Sequence, residues 1–344
     1  MKAISLFSCS GVGETYLENI GIHTVVANEL LKDRAEVYKY RFPNTDMVVG
    51  DIKEKKDELI DKALENNVEL LIATPPCQGM SNIGKRDYIG DERNYLIFDV
   101  FDIIDAVRPK YILIENVPKF LDMYYPYKGD VKSLVDIILA KYGDEYDAKF
   151  GVYNAKDYLV PQSRKRAFVR LFKKGLTWDD PEVEKEITLR EAIGHLPSIE
   201  SGEDSGIKWH IGPKHSARHI EWIKHTPTGH TAFDNEVYYP QKEDGKRISG
   251  YHNTYRRLEW DKPCPTRTMK SGSVSGSNNC HPGRLKDDGT YSDARCLSLL
   301  ELFIVSSLPP DLDLPDGLSE SFIRDIVGEG VPPKMMEVFL KQIL

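Results

Sequence analysis

The stretch Leu70-Leu71-Ile72-Ala73-Thr74-Pro75-Pro76-Cys77-Gln78 decides how the rest of the chain is read. It opens on a short apolar run with the pattern of a buried strand. Two prolines end that run, because proline has no N–H for a ladder and fixes φ. Cys77 then stands just past the carboxyl end of the strand, on the edge of an open α/β sheet where ligands and chemistry collect. A single cysteine is by itself an ordinary small packing residue. Its neighbours along the chain give Cys77 its meaning.

Toward the N-terminus, residues 2–7 read as a first strand and Ser8-Cys9-Ser10-Gly11-Val12-Gly13 as a small-residue turn. A helical pattern runs through Leu17 and Ile20 and stops at Gly21, which suits the left-handed position after a helix. A second strand, 24–27, ends in Asn28-Glu29. Strand, glycine turn, helix, strand, acid is the order of a nucleoside-binding βαβ unit. The glycines let the backbone approach the ligand, and the acid can hold ribose hydroxyls. A third strand, 47–49, ends in Gly50-Asp51, where a carboxylate can accept from an adenine amino group. A helix at 55–64 leads into the quoted strand.

Beyond Cys77, residues 79–94 are polar and aperiodic, a long loop of the kind that often carries function. A helix follows at 95–107, and the strand 111–114 ends in Glu115-Asn116-Val117-Pro118. A cysteine and a glutamate thus close two successive strands, and in a parallel sheet both closing positions lie on one edge. A helix at 131–142 and strands at 146–154 and 166–172 come next. Between the two strands lies Pro161-Gln162-Ser163-Arg164-Lys165-Arg166. Alternation puts Arg164 and Arg166 on one side of an extended chain, as an anion or a base edge requires.

The 344 residues, 40% hydrophobic and 29% charged, suit one large globular domain or two of ordinary size. No apolar run approaches a membrane span, and with a strand starting at residue 2 no signal peptide is expected. The five cysteines are odd in number and form no CxxC pair. That points away from a disulfide framework or zinc ribbon and toward a reducing cytoplasm. The net charge of −8 speaks against nucleic acid, yet residues 205–300 carry +5 and the remainder −13. One region can therefore face phosphates while the rest stays acidic. Seven of the nine histidines lie in the basic window, at spacings that match no standard ligand set, so no metal is expected. After Thr177 regular periodicity fades, and helices are expected only at 189–196, 297–308 and 333–344. The intervening stretch mixes base and aromatic: Tyr251, Tyr255, Arg256, Arg257, Trp260, Arg267 and Lys270.

Taken in order, this set resembles the C5-cytosine DNA methyltransferases over residues 2–175 and 293–340. The resemblance rests on Phe7 to Gly11, the strand-end Glu29 and Asp51, Pro76-Cys77-Gln78 and Glu115-Asn116-Val117. It continues in Gln162-x-Arg164-x-Arg166, Arg295-x-Leu297 with Glu301, and Gly328-x-Gly330-Val331-Pro332. The chain departs from the family pattern at Cys9 and Val12, where glycines are usual, and at Glu329, where asparagine is usual.

The resemblance implies an α/β fold: a Rossmann-like S-adenosylmethionine-dependent methyltransferase sheet over 1–180, completed by 320–344. A second, smaller, loop-rich DNA-recognition domain would cover 185–310. S-adenosylmethionine would be the methyl donor, S-adenosylhomocysteine the product and double-stranded DNA the partner, with the target cytosine rotated out of the stack. Cys77 would attack C6, Glu115 would hold the N3 proton, and Arg164 and Arg166 would face O2 and the ring charge. Cofactor contacts are expected at Phe7, Gly11, Gly13, Glu29, Asp51, Ile52, Pro76, Leu96 and Val331. DNA contacts are expected at Gln78, Ser81, Gln162, Arg256, Arg257, Arg267 and Lys270. A cognate restriction endonuclease acting on the same site, a monomeric state, no membrane partner and a prokaryotic, cytoplasmic, nucleoid-associated setting go with this reading.

Rival readings stay open on the sequence. An amino-group methyltransferase would carry an aromatic where Cys77 stands. A tRNA cytosine-C5 methyltransferase would share the same motifs, and the long basic region after Thr177 favours a DNA reader over it. A non-catalytic DNA-binding relative would have lost the cysteine or the glutamate. A cysteine hydrolase would need a histidine, and none lies near Cys77 or Glu115 in the sequence.

Overall fold

The computed structural model describes residues 1–76 and 91–344. The apolar runs form β1 (Lys2–Leu6), β2 (His23–Glu29), β3 (Asp46–Val49), β4 (Leu70–Ala73) and β5 (Tyr111–Asn116). These pair in parallel, in the order β3-β2-β1-β4-β5. An antiparallel hairpin follows, β6 (Tyr124–Tyr127) with β7 (Asp130–Ser133). The sheet is then finished out of chain order. After β8 (Tyr146–Asn154) and the short β9 (Gln162–Ser163), β10 (Lys165–Lys173) inserts between β5 and β8, antiparallel to both.

Every residue of β4 and β5 is buried. Parallel strands covered on both faces read as continuous apolar runs for this reason. The cover comes from α1 (Lys32–Arg41), α2 (Ile52–Glu65), α3 (Leu96–Val107) and α4 (Leu134–Tyr142). Ile4, Leu71, Ile112 and Val169 of the sheet share one core with Leu59 of α2, Val100 and Ile104 of α3, and Ile137 of α4.

The chain divides into two compact units. The first comprises Met1–Asn154, Lys165–Glu182 and Met335–Leu344; the second comprises Ala155–Arg164 and Val183–Lys334. Residues 320–334, expected with the sheet, therefore belong to the second unit, as does the connection between β8 and β10. Its regular elements are few and short: α5 (Leu189–Ile193), α6 (Ala217–Lys224), β11 (Cys264–Pro265) paired with β9, α7 (Leu299–Val305) and α8 (Glu320–Glu329). The C-terminal α9 (Pro333–Leu340) carries Phe339, whose ring packs edge-on against Phe168 and Tyr153 in the first unit. No helix among the described residues is long and apolar enough to cross a membrane.

Three expectations need correction. The helix through Leu17 and Ile20 is only a 3-10 turn, Glu18–Ile20, closed by Gly21 at φ 75°. The segment before it folds as successive turns, with Gly11 N–H donating to Ser8 O and Glu14 N–H to Gly11 O. Residues 131–133 are strand, and α4 starts at Leu134 behind Ser133, whose hydroxyl accepts from Asp136 N–H at 3.0 Å. Helices α1, α6 and α8 were not foreseen.

Candidate active site

Strand order reverses between β1 and β4: β2 and β3 lie to one side of β1, β4 and β5 to the other. The crevice at such a switch point, outside the carboxyl ends, is where open α/β sheets bind ligands. Polar side chains, Asn28 and Asn116 buried and Thr74 half-buried, fasten the loops along this edge. Thr74 N–H donates to Leu6 O at 3.1 Å, and its hydroxyl donates to Phe7 O at 3.0 Å. Asn28 Nδ2 donates to Val48 O and Gly50 O at 3.0 and 3.1 Å, tying β2 to the loop after β3. Asn116 Nδ2 donates to Pro75 O at 3.0 Å, while its Oδ1 accepts from Val117 N–H at 2.8 Å.

The loop after β1 is left-handed at three positions: Phe7 at φ 59°, Cys9 at 50° and Gly11 at 67°. Such angles cost a non-glycine residue about 1 kcal/mol or more and persist where the surroundings enforce them. Glu29 does so for Cys9. Its Oε2 accepts from Cys9 N–H and its Oε1 from Leu31 N–H, both at 2.8 Å, and the carboxylate is buried. Glycine is required at Gly11, since a Cβ there would come within 2.4 Å of the Phe42 ring. Val12, in a customary glycine place, packs into the core, and Gly13 is half-buried.

Sequence reasoning missed Glu14. Its carboxyl is buried between the Ser5 hydroxyl at 2.7 Å and the Tyr38 hydroxyl, and burial raises its pKa. Beside it, Arg41 donates to Ser10 O and Thr15 Oγ1, and burial lowers its pKa to about 10. Together they brace the turn from beneath.

Asp51 caps α2, accepting from Lys53 N–H at 2.9 Å through Oδ1. Its Oδ2 makes no hydrogen bond among the described residues and points to spare acceptor capacity at the sheet edge. Ile52 is buried, whereas Phe7, Pro76 and Leu96 are half-buried. Val331 is buried in the second unit. Cys77, Gln78 and Ser81 lie outside the described residues.

Glu115 is buried at the end of β5, with Oε1 2.8 Å from Arg166 Nε. The register explains the pair: Glu115 lies opposite Phe168 on antiparallel β10, so Arg166 is its diagonal neighbour on the same face. Arg164 belongs to the second unit, where its guanidinium donates to Arg267 O, Gly328 O and Gly330 O.

Three expected DNA contacts are likewise interior. Gln162 is buried, donating to Val305 O and Ser306 Oγ and accepting from Arg267 N–H. Arg257 is buried among carbonyls, donating to Ile223 O, His281 O, Asp293 O and Ser292 O. Arg267 donates to Pro265 O, Asn278 O and Asn279 Oδ1. A guanidinium enclosed in this way cannot reach a phosphate or a base edge. Of the four expected contacts from this stretch, Lys270 is exposed and Arg256 half-buried.

The motif Arg295-x-Leu297 with Glu301 forms the second unit's central ion pair. Arg295 grips both oxygens of Glu301, at 2.7 and 3.0 Å, and reaches Asp293 at 2.8 Å. Burial works against ionisation of Glu301, yet the Arg295 guanidinium holds its carboxyl down at about 2. His281 is enclosed alongside, and burial lowers it to about 4. Among the described residues no cluster of three or more potential metal ligands comes together.

Comparison with known proteins matches the whole chain, residues 1–344, to the family model described as C-5 cytosine-specific DNA methylase. A type II methyltransferase of Avibacterium volantium, M1.HgaI, is 46% identical across 100% of this chain and 98% of its own length. M1.HphI of Haemophilus parahaemolyticus, another type II methyltransferase, is 27% identical over 99% of this chain and 86% of its own. In fold, a crystal structure of a prophage-encoded E. coli protein superposes with a TM-score of 0.74 at 20% identity, covering 99% and 98% of the two chains. That of Spodoptera frugiperda DNMT2 gives 0.65 at 18%, covering 99% of each.

Proposed function

This chain belongs to the C-5 cytosine-specific DNA methylase family, and on that premise we propose that it methylates carbon 5 of a cytosine flipped out of a specific duplex DNA sequence, through a covalent bond from Cys77 Sγ to ring C6. The observation that carries the mechanism is the fastening of Pro75 O by Asn116 Nδ2, next to the Glu115–Arg166 pair. It ties the chain two residues before Cys77 to β5, the strand that carries Glu115.

Cytosine C5 is a poor nucleophile. Addition of a thiolate at C6 places negative charge on the ring and makes C5 enamine-like. A carboxyl at N3 stabilises that charge by holding a proton there, which is the role of Glu115. Arg166 fixes the orientation of Glu115 and brings positive charge to the same face. A free thiol titrates near 8.5, so Cys77 needs activation from its surroundings to react at neutral pH. After methyl transfer a base takes the C5 proton, the Cys77–C6 bond breaks with its electron pair leaving on the thiolate, and N3 returns its proton to Glu115, which restores the aromatic ring.

The sheet edge fits S-adenosylmethionine, which supplies an electrophilic methyl group on a sulfonium. Glu29, a buried carboxylate at the carboxyl end of β2 with about four lone-pair sites, would hold the ribose hydroxyls. Asp51 Oδ2 would accept from the adenine amino group. The left-handed turn Phe7 to Gly11, with Gly13, Ile52, Pro76 and Leu96, would enclose the rest. Val331, buried in the second unit, is retained from the family pattern alone.

The second unit would read the DNA sequence, since its net positive stretch suits phosphate. A cognate restriction endonuclease, a monomeric state and a cytoplasmic, nucleoid-associated setting complete the proposal. The test is incubation of the protein with duplex DNA and labelled S-adenosylmethionine, followed by digestion to nucleosides and mass spectrometry. Label in 5-methyldeoxycytidine is expected. Label in an amino-methylated base, or on tRNA but not duplex DNA, would overturn the reading.

A further inference from the structure

In a βαβ nucleotide site the glycine turn runs into an α-helix, and the first N–H groups of that helix hold the ligand and steady the turn. In this chain no α-helix joins β1 to β2. Residues 7–17 are bends and turns, and only Glu18–Ile20 is helical, in 3-10 form. The backbone bonds across the middle of the turn are long, 3.3 Å from Glu14 N to Gly11 O and 3.4 Å from Thr15 N to Val12 O. Side chains therefore have to fix what the backbone holds loosely.

They come from α1, which follows β2 in the chain. Tyr38 and Arg41 are three residues apart and share a face of that helix. Arg41 Nη1 donates to Ser10 O at 2.7 Å. Its Nη2 reaches Thr15 Oγ1 at 2.8 Å, and that hydroxyl donates on to Val12 O at 2.7 Å. The Tyr38 ring lies against Gly11, where an added Cβ would stand 3.0 Å from it. From the turn, Glu14 answers this grip. Its carboxylate accepts from the Tyr38 hydroxyl of α1 and from the Ser5 hydroxyl of β1. All three residues are buried, so water does not replace either bond. Glu14 thus bridges the first strand, the turn and α1.

We propose that Glu14 is a positioning residue for S-adenosylmethionine: by fixing the turn between β1 and α1 it sets the affinity for the cofactor, and it takes no part in methyl transfer. This rests on the function proposed above. Glu14 is only 5% exposed, so it acts through the turn and not by touching the ligand. The turn passes the effect on, because Cys9 N–H donates to Glu29, the carboxylate assigned to the ribose. The Glu115–Arg166 pair stands on β5 and β10, and β4 lies between β1 and β5. A loosened turn therefore disturbs cofactor binding before it disturbs the chemistry on the base.

The experiment takes the full chain through calorimetry with S-adenosylmethionine and through methylation kinetics on DNA from a host lacking cytosine methylation. Glu14→Ala should weaken cofactor binding about ten- to a hundredfold, the share of hydrogen bonds to a charged group. KM for the cofactor should rise in step, while kcat at saturation stays within about twofold. Glu14→Gln should recover most of the affinity, because an amide can accept from one hydroxyl and donate to the other. Tyr38→Phe keeps the ring against Gly11, loses one bond and should fall between the two. Ile137→Val, in the core on α4 beside β8, should lower the melting temperature and bind the cofactor as wild type does. Glu14→Ala with wild-type affinity, or with kcat reduced as strongly as affinity, overturns the proposal. So does an equal loss of affinity in Ile137→Val. Should Glu14→Ala fail to fold, Tyr38→Phe decides, and wild-type affinity there overturns the proposal. A wild-type chain that binds no S-adenosylmethionine overturns instead the function on which it rests.

Discussion

Two asparagines on the same sheet edge offer a paired experiment. Asn116→Ala removes the bonds to Pro75 O and from Val117 N–H; Asn28→Ala removes those to Val48 O and Gly50 O. Both side chains are buried at 2% exposure, so the abandoned groups lose their partners where water reaches poorly. Each stranded group costs about 1–3 kcal/mol, which puts both variants about 2–6 kcal/mol below wild type. Urea titration should show similar losses. The functional consequences should diverge. Asn116 holds the chain two residues before Cys77, and a shift of about 1 Å in a reacting group costs on the order of a hundredfold in rate. Asn116→Ala should therefore lower kcat by about that factor and leave cofactor affinity nearly unchanged. Asn28 holds Gly50 beside Asp51, so Asn28→Ala should weaken S-adenosylmethionine binding about tenfold with a smaller effect on kcat. Single-turnover methylation and calorimetry separate the two. Equal stability losses with kcat of Asn116→Ala within twofold of wild type would refute the reasoning.

Two further outcomes follow from the geometry. Asp51→Ala should weaken S-adenosylmethionine binding by about 1.5–3 kcal/mol, the value of one charge-assisted hydrogen bond, as read by calorimetry; unchanged affinity would remove Asp51 from the site. For His281, burial lowers the pKa from 6.5 to about 4, so the unfolded chain binds more protons between those values and stability rises with pH across that window. On acidification from pH 6.5 to 4 the second unit should lose on the order of 3 kcal/mol through this group. Denaturant titrations at several pH values check this, and a His281→Asn variant should show a flatter slope.

The sheet was legible because its strands are short apolar runs that end in polar residues. Parallel strands buried on both faces leave that trace in any order of pairing. The insertion of β10 between β5 and β8 left none. Helix α1 was missed because Lys32-Asp33-Arg34 and Lys39-Tyr40-Arg41 hide a narrow buried stripe, Ala35, Val37 and Tyr38. The candidate site was legible at Glu29, Asp51 and Glu115, where an acid closes a strand. Glu14 gave no such signal, since its burial comes from Tyr38 and Ser5, which are distant in the sequence.

The misread arginines share one physical cause. Arg164, Arg257 and Arg267 donate to main-chain carbonyls inside the second unit, as Arg295 and Arg324 also do. Where a chain has little helix or sheet, its buried carbonyls still need partners, and guanidinium groups with five donors supply them. Residue type announces a polar donor. Only the fold shows whether it faces inward to a carbonyl or outward to a phosphate.

The central claim is the covalent bond from Cys77, and trapping tests it most directly. Duplex DNA carrying 5-fluorocytosine at the target accepts the methyl group but has no C5 proton to lose, so the adduct persists. Wild-type protein, labelled DNA and S-adenosylmethionine should give a band of combined mass on denaturing electrophoresis. Cys77→Ser should give none, because a serine hydroxyl is a far poorer nucleophile near neutral pH. Glu115→Gln, which cannot supply the N3 proton, should reduce the band strongly while cofactor binding stays intact. Methylation of C5 by Cys77→Ser at the wild-type rate would contradict the account.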